Sequence, residues 1–155
     1  MIQVVAVGRL KERAMVQLVE EYQKRIGGYA RIQIDEVADE PNDDPHMAAA
    51  VKQAEGQRIL RRLRPRSYVI LLDLQGKELT SEQLAAKMQD VFTYHGADVT
   101  FVIGGSLGVS PEVRSAADYV WKLSALTFPH NLARLILLEQ VYRGFKILAH
   151  EPYHK

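Results

Sequence analysis

Short apolar runs alternate with amphipathic segments along the whole chain, and this alternation constrains the fold more than any other feature. Apolar runs at 2–7, 68–72 and 99–103 predict buried strands, and the spacing of apolar residues between them predicts helices. Weaker strand patterns occupy 32–34 and 119–123. Strands that alternate with helices predict an α/β fold with a mainly parallel sheet flanked by helices.

The composition narrows the class of protein. A chain of 155 residues is expected to form one domain, residues 1–155, with a substantial core. Because it has no cysteine, disulfides and thiolate metal sites are excluded.

The net charge of +1 does not imply that the whole protein attracts nucleic acid electrostatically, so any such attraction must come from a local patch of positive charge. No signal peptide and no apolar run of membrane-spanning length is evident, and we expect a cytoplasmic protein with no membrane partner.

The C-terminal segment HEPYHK, at 150–155, matches the H-E-x-x-H pattern of zinc proteases. That pattern needs both histidines on one face of a helix. Pro152 removes a backbone donor and clashes with the carbonyl four residues earlier, so the two imidazoles should not be stacked by a helix. We therefore expect no metal site here. The tail is either loosely ordered or folds over a site elsewhere in the molecule.

Three segments follow the predicted central strands, namely LDLQGK at 72–77, GGSLGVS at 104–110 and SALTFPH at 124–130. Ligands of parallel α/β sheets bind beyond the carboxyl ends of the strands, so chemistry is expected at these segments. Gly76 and Lys77 of the first segment do not match the phosphate-binding loop, and the glycines of the second segment do not match the dinucleotide fingerprint. They serve either a turn with positive φ or the close approach of a ligand to bare backbone, and both interpretations remain open.

Several arginines lie close together in the segment QRILRRLRPR, a strong local concentration for a chain of net charge +1. One interpretation is a solvated helix end whose cations complement the helix dipole. The other is a patch that contacts the phosphates of a nucleic acid. The sequence favours neither interpretation over the other. The residues of this arginine cluster are Arg58, Arg61, Arg62, Arg64 and Arg66.

The last predicted helix, from about Asn131 to Ala149, is apolar on much of its circumference. Such a helix is usually buried, and in a domain of this size the extra apolar face predicts a subunit interface. Glu139 and Arg143 are spaced to form an ion pair, which either is structural only or aims the guanidinium at an anionic group. His130, at the helix entrance, either caps the helix or touches a ligand.

Several of these blocks together resemble the RlmH family of SPOUT-class RNA methyltransferases. The resemblance rests on VIGGSLGVS, LSALTFPHNLARLILLEQVYRGFKI, the terminal PYHK, the opening VVAVGRLKE and the LDLQGK segment, and it covers essentially the whole chain. It implies an α/β domain with a deep trefoil knot near the C-terminus, S-adenosylmethionine as methyl donor without a metal, and a homodimer. It also implies methylation of N3 of a pseudouridine in the helix 69 loop of 23S ribosomal RNA on the assembled ribosome.

The chemistry of such a methyl transfer leads to a hypothesis about the roles of individual residues. Arg143 would stabilise the negative charge of the deprotonated base, and His154 would act as the general base. Tyr153 would position the base or stack on it. Pro152 would keep the tail out of the helix so that it can bend over the cofactor, either in its own chain or in a partner subunit. In an alternative mechanism the tail only closes the site and the proton leaves to water.

The contacts with the cofactor are carried over from the resemblance, whereas the contacts with RNA are a hypothesis based on the local concentration of charge. The cofactor is expected at Leu72, Gly104, Leu123, Ser124, Ala125, Leu126, Thr127 and Phe128. RNA contacts are expected at Arg58, Arg61, Arg62, Arg64 and His130. A competing hypothesis is a ribosome-binding factor that keeps the fold but has lost catalysis, and measured turnover distinguishes the two.

Overall fold

The computed structural model describes residues 1–42 and 44–153 and confirms the alternation of strands and helices. The strands are β1 (Ile2–Val7), β2 (Ile32–Val37), β3 (Tyr68–Glu78), β4 (Val99–Ile103) and β5 (Tyr119–Lys122). The helices are α1 (Arg13–Ile26), α2 (Ala48–Arg62), α3 (Ser81–Tyr94), α4 (Pro111–Ala116) and α5 (His130–Leu148), and a 3-10 turn at Pro45–Met47 precedes α2. Within the described ranges, no helix combines the length and the apolar character needed to cross a membrane.

All five strands pair in parallel, in the order β2-β1-β4-β3-β5. The prediction of a mainly parallel sheet flanked by helices is therefore confirmed. Since parallel strands all point the same way, their carboxyl ends meet at one edge of the sheet. At that edge β3 stands between β4 and β5, and β4 stands between β1 and β3.

Alternate residues of the central strands point to opposite faces of the sheet and build two cores. On one face, Val4 and Phe101 pack with residues of α1, α3 and α5. On the other face, Val5 and Val102 pack with residues of α2 and α4. Helix α5 contacts both α1 and α3, so it occupies the middle of the first helical layer.

The third strand runs past Leu72, where the sequence predicted its end, so that prediction was wrong. The pairing with β5 is interrupted, because Leu72 and Lys77 both lie opposite Trp121 and the residues between them leave the ladder. Gly76 permits the second contact, since a Cβ there would stand 2.6 Å from the carbonyl oxygen of Val120. Gly76 is therefore required for the close approach of β5.

A buried ion pair joins α5 to the carboxyl ends of β1 and β2. Arg134 is 2% exposed and donates hydrogen bonds to Glu36 Oε2 at 2.6 Å and to the carbonyl oxygen of Gly8 at 3.1 Å. Glu36 Oε2 also accepts a hydrogen bond from the Leu10 N–H at 2.9 Å. Partial burial raises the pKa of the Glu36 carboxyl, but the bonds from Arg134 and Leu10 outweigh that effect and leave this pKa lowered.

Removing the two partners of this ion pair is expected to have unequal effects on stability. Glu36→Ala leaves a buried guanidinium without its carboxylate and is expected to lower the free energy of unfolding by about 3 kcal/mol. Arg134→Met leaves Glu36, whose side chain is 36% exposed and can be hydrated, so a smaller loss of about 1–2 kcal/mol is expected. Urea denaturation at neutral pH measures both values.

The exposed pair of Arg25 and Glu21 provides the matched control. Its partners are 3.0 Å apart but 41% and 49% exposed, so Glu21→Ala is expected to change the free energy of unfolding by less than about 1 kcal/mol. A loss for Glu36→Ala no larger than that for Glu21→Ala would contradict the role of a buried cation at this position.

Candidate active site

A cleft of about 790 Å³ opens at the carboxyl edge of the sheet, above β3, β4 and β5. Its walls come mainly from three segments, namely the irregular part of β3 at 72–75 and the loops at 103–109 and 123–130. The sequence predicted chemistry at the segments that follow these strands, and the structure brings all three together in one cleft. A volume of this size suits a small organic ligand or a cofactor.

The loop after β4 forms one wall of the cleft largely from bare backbone. A Cβ at Gly104 would stand 2.6 Å from Val109 Cγ1, and a Cβ at Gly105 would stand 2.6 Å from Glu55 Oε1. Gly108 has a φ of +92°, and its N–H donates to the carbonyl oxygen of Gly105 at 3.1 Å. Gly108 therefore serves the turn, whereas Gly104 and Gly105 allow close packing against the backbone.

Most of the residues predicted to contact a cofactor line this cleft. The exception is Ala125, which lies in the same loop but outside the lining. Leu126 is 68% exposed at the rim, and Ser124 Oγ accepts a hydrogen bond from its N–H at 3.0 Å. His130, the first residue of α5, also lines the cleft. The predicted cofactor residues in the lining are Leu72, Gly104, Leu123, Ser124, Leu126, Thr127 and Phe128.

The cleft also holds a charged pair that the sequence analysis missed. Arg114 Nη2 donates a hydrogen bond to Asp73 Oδ2 at 2.8 Å, and both residues line the cleft. Asp73 Oδ1 accepts a further bond from the Gln75 N–H at 2.8 Å, which shapes the loop after Leu72. The sequence signal that could have indicated this pair was the position of Asp73, a charged residue directly after the buried apolar run of β3.

Of the predicted catalytic residues, Arg143 lies on α5 and Tyr153 in the tail, both outside the lining of the cleft. Arg143 donates to Glu139 Oε1 from Nε at 3.0 Å and from Nη2 at 2.6 Å, which confirms the predicted ion pair. The Tyr153 ring lies 4.8 Å from the guanidinium carbon of Arg143, and its hydroxyl donates to Glu139 Oε1 at 3.2 Å. Burial, with a hydrogen bond to Tyr22 and the charge of Glu139, raises the pKa of Tyr153 to about 12. His154 lies outside the described residues.

The tail leaves the helix before Pro152, as the sequence predicted. His150 has a φ of +56°, and Glu151 accepts hydrogen bonds from Lys146 Nζ at 2.7 Å and from the Tyr29 hydroxyl at 2.9 Å. Up to its last described residue, the tail is therefore packed on its own chain but does not cover the cleft of that chain. Within 1–42 and 44–153, no group of three or more His, Asp or Glu side chains is placed to hold a metal ion.

Most of the arginine cluster lies at the opposite edge of the sheet, because α2 ends there, just before the amino end of β3. Arg58 is the exception, since it donates to the Ala38 carbonyl oxygen beyond the carboxyl end of β2. Arg58 forms an ion pair of 2.6 Å with Glu40, and Arg64 forms one of 3.4 Å with Asp98. Arg61 and Arg62 are exposed. Of the residues predicted to contact RNA, only His130 stands beside the cleft.

The architecture is similar to that of solved methyltransferase structures. A probable methylase family protein of Haemophilus influenzae matches with a TM-score of 0.56 and 16% identity, over 99% of this chain and 70% of the other. TrmJ of Z. mobilis matches with a TM-score of 0.50 and 14% identity, over 100% of this chain and 73% of the other. These likenesses show the fold. The family described as "Predicted SPOUT methyltransferase" matches residues 1–154, so the chain belongs to the SPOUT methyltransferase family.

Relatives of high identity refine this assignment. Ribosomal RNA large subunit methyltransferase H of Desulfitobacterium hafniense strain Y51 is 51% identical, over 99% of this chain and 98% of the relative. The protein of the same name from Carboxydothermus hydrogenoformans is 48% identical, over 99% of each chain. The resemblance to the RlmH family is thereby confirmed.

Proposed function

We propose that this chain transfers a methyl group from S-adenosylmethionine to N3 of a pseudouridine in the helix 69 loop of 23S ribosomal RNA. The three-loop cleft in a chain of a methyltransferase family is the observation that carries the proposal. The substrate class comes from the relatives, which bear the name ribosomal RNA large subunit methyltransferase H. The substrate is the assembled ribosome in the cytoplasm. The shape of the ribosome would supply the recognition, because a chain of net charge +1 provides little electrostatic attraction to RNA.

The lining of the cleft fits S-adenosylmethionine. The volume accommodates a nucleoside, and Leu72, Leu126 and Phe128 offer apolar contacts to its flat base. Gly104 contributes backbone without a side chain, so polar main-chain groups are within reach of a ligand. When bound, the cofactor supplies an electrophilic methyl group. The residues of this chain then have to orient the acceptor base and remove its proton.

Arg143, Tyr153 and His154 are the residues proposed for that task. Loss of the N3 proton leaves negative charge on the flanking carbonyl oxygens of the base, and a guanidinium held in place stabilises that charge. Glu139 holds Arg143 by two hydrogen bonds, and the Tyr153 ring covers the same guanidinium. His154 accepts the proton, as an imidazole can near neutral pH.

A homodimer accounts for the distance between these residues and the cleft. Arg143 lies thirteen positions after His130 on α5, which corresponds to about 20 Å along the helix. Leu132, Ile136 and Glu139 share a partly exposed stripe with Arg143. If a second copy covers this stripe with its own α5 antiparallel, the Arg143 end of one helix lies beside the His130 end of the other. Each cleft would then receive Arg143 and the tail from the second copy.

The deep trefoil knot expected from the resemblance is also part of the proposal. Strand β5 pairs with β3 rather than with β4, and the chain then returns through α5 to pack between α1 and α3. The crossing of β5 and α5 beside the cleft loops supports a knot in which the C-terminal part of the chain passes through a loop. Tracing residues 68–153 in experimental electron density tests for the knot. A backbone that becomes a straight line when its two ends are pulled apart would exclude it.

Methyl transfer on ribosomes tests the proposed reaction. Labelled S-adenosylmethionine is supplied with whole ribosomes that lack the modification, with separate large subunits and with purified ribosomal RNA. We expect incorporation on whole ribosomes only. His154→Ala is expected to lower the rate at neutral pH by about 10²-fold or more. Cofactor binding without incorporation on any substrate would favour the binding factor, and an unchanged rate for His154→Ala would show that the proton leaves to water.

Complementation between inactive variants tests the shared site. Arg143→Ala and Gly104→Val are each expected to be inactive, the second because a side chain at 104 collides with Val109 and distorts the cleft wall. After subunit exchange, about a quarter of the wild-type rate should return, since half of the dimers are mixed and each has one complete site. A mixture of Arg143→Ala with Tyr153→Ala is the matched control and should stay inactive. No recovery in the first mixture, with both variants folded and dimeric, would contradict the shared site.

Two sets of exposed cations are candidates for RNA contact. Arg61 and Arg62 belong to the predicted cluster at the far edge of the sheet, whereas Arg9 and Arg13 flank the loop that leaves β1 beside His130. Because RNA must follow the rim of the cleft, we expect Arg9→Ala/Arg13→Ala to weaken ribosome binding and to reduce the slope of log K against log salt by about 2. A larger effect of Arg61→Ala/Arg62→Ala would instead support the cluster.

A further inference from the structure

A second, smaller cavity of about 90 Å³ lies beside the cleft, over the carboxyl ends of β1 and β4. The two spaces share the wall formed by 105–107 and His130. The far side of the small cavity is acidic, with Asp39, Glu40 and Glu55 in its lining. We call this space the acidic annex. It has room for a few water molecules or for one small polar group, but not for a base.

Glu55 is the most constrained residue of the acidic annex. It is 4% exposed, and its Oε2 accepts a hydrogen bond from the Glu40 N–H at 2.9 Å. Its Oε1 is buried and has no hydrogen-bond partner in the part of the chain that the structure describes. Burial raises the pKa of this carboxyl. A buried carboxylate oxygen without a donor is costly, so its presence in a folded protein points to a missing donor.

The position of that oxygen shows where the donor must come from. Glu55 Oε1 stands only 2.6 Å from the position that a Cβ on Gly105 would take, so it packs directly against the wall shared with the cleft. Only glycine at this position allows the carboxylate to reach the wall. A donor that enters from the cleft across Gly105 would meet Oε1 first.

The charges around the acidic annex favour a cationic donor. Asp39 and Glu40 both act on Glu55 as like charges. Arg58 lies nearby, but its guanidinium is engaged with Glu40 at 2.6 Å and with the Ala38 carbonyl oxygen at 2.9 Å. A primary ammonium would supply Glu55 Oε1 with the hydrogen-bond donor that it lacks among the described residues, together with a positive charge.

We propose that the acidic annex binds the α-amino group of the cofactor, as a primary ammonium, with Glu55 as its acceptor. This inference rests on the proposed function, because it assumes that the nucleoside part of S-adenosylmethionine occupies the main cleft. The amino-acid part then extends across Gly105 into the annex. Glu55 would thereby discriminate the intact cofactor from nucleosides that lack the amino group.

Calorimetric titration with three ligands tests this assignment. S-adenosylmethionine and its decarboxylated form both carry the ammonium, whereas 5′-methylthioadenosine lacks it. Glu55→Gln is expected to weaken binding of the first two by about tenfold or more, as for a lost hydrogen bond to a charged group, and to leave 5′-methylthioadenosine unchanged. Glu21→Gln, which removes an exposed carboxylate outside the lining of both cavities, is the control and should change each affinity by less than about threefold.

The outcomes separate the inference from the proposed function. If Glu55→Gln weakens all three ligands equally, Glu55 only shapes the glycine loop and the inference is wrong. If 5′-methylthioadenosine binds but Glu55→Gln leaves the affinity for S-adenosylmethionine unchanged, the inference fails while the cleft assignment stands. If no ligand binds the wild-type protein, the proposed function itself fails.

A measurement on the wild-type chain removes any dependence on the folding of the variant. The deaminated analogue of S-adenosylmethionine, with hydrogen in place of the amino group, is expected to bind about tenfold more weakly than the decarboxylated cofactor. Equal affinities of these two analogues would overturn the role of the acidic annex. A chelator should leave all affinities unchanged, and a loss on chelation would mean that the acidic side chains hold a metal ion instead.

Discussion

The parallel pairing of β4, β3 and β5 is the constraint on which the cleft depends. Because β3 stands between the other two strands, its irregular part at 72–75 and the loops that follow β4 and β5 open at adjacent points of one sheet edge. The approach of β5 requires bare backbone at Gly76, and the wall built after β4 requires it at Gly104 and Gly105. Glycine is therefore used here for close packing more than for turns. The cleft is a consequence of strand order, and side chains only complete its lining.

Helix α5 connects the cleft to the rest of the molecule. Its first residue, His130, forms part of the rim, and Arg134 fixes the next turn to the carboxyl ends of β1 and β2 through Glu36 and Gly8. Farther along, the helix presents Arg143 on a partly exposed stripe. One rigid helix thus sets the distance between the cleft and the residues proposed to act on the substrate, and that distance favours a site completed by a second copy.

The strand order and the long β3 show what the sequence could and could not predict. Apolar runs and glycine stops predicted the strands and helices, because each of these signals is local. The extension of β3 past Leu72 depends on contact with β5, and no local pattern encodes that contact. Arg134 and Glu55 were missed for the same reason, since a buried charge among apolar neighbours is recognised only when its partner from another element is known. The role of the glycine loop came from resemblance to a family rather than from spacing.

A crystal structure of the chain grown with S-adenosylmethionine would test the assignment of the cleft most directly. The result expected here is density for the nucleoside between the loops at 72–75, 103–109 and 123–128, with Arg143 of a second copy facing the same cleft. Density for the cofactor at any other surface, or a dimer in which both copies of Arg143 point away from the clefts, would contradict it.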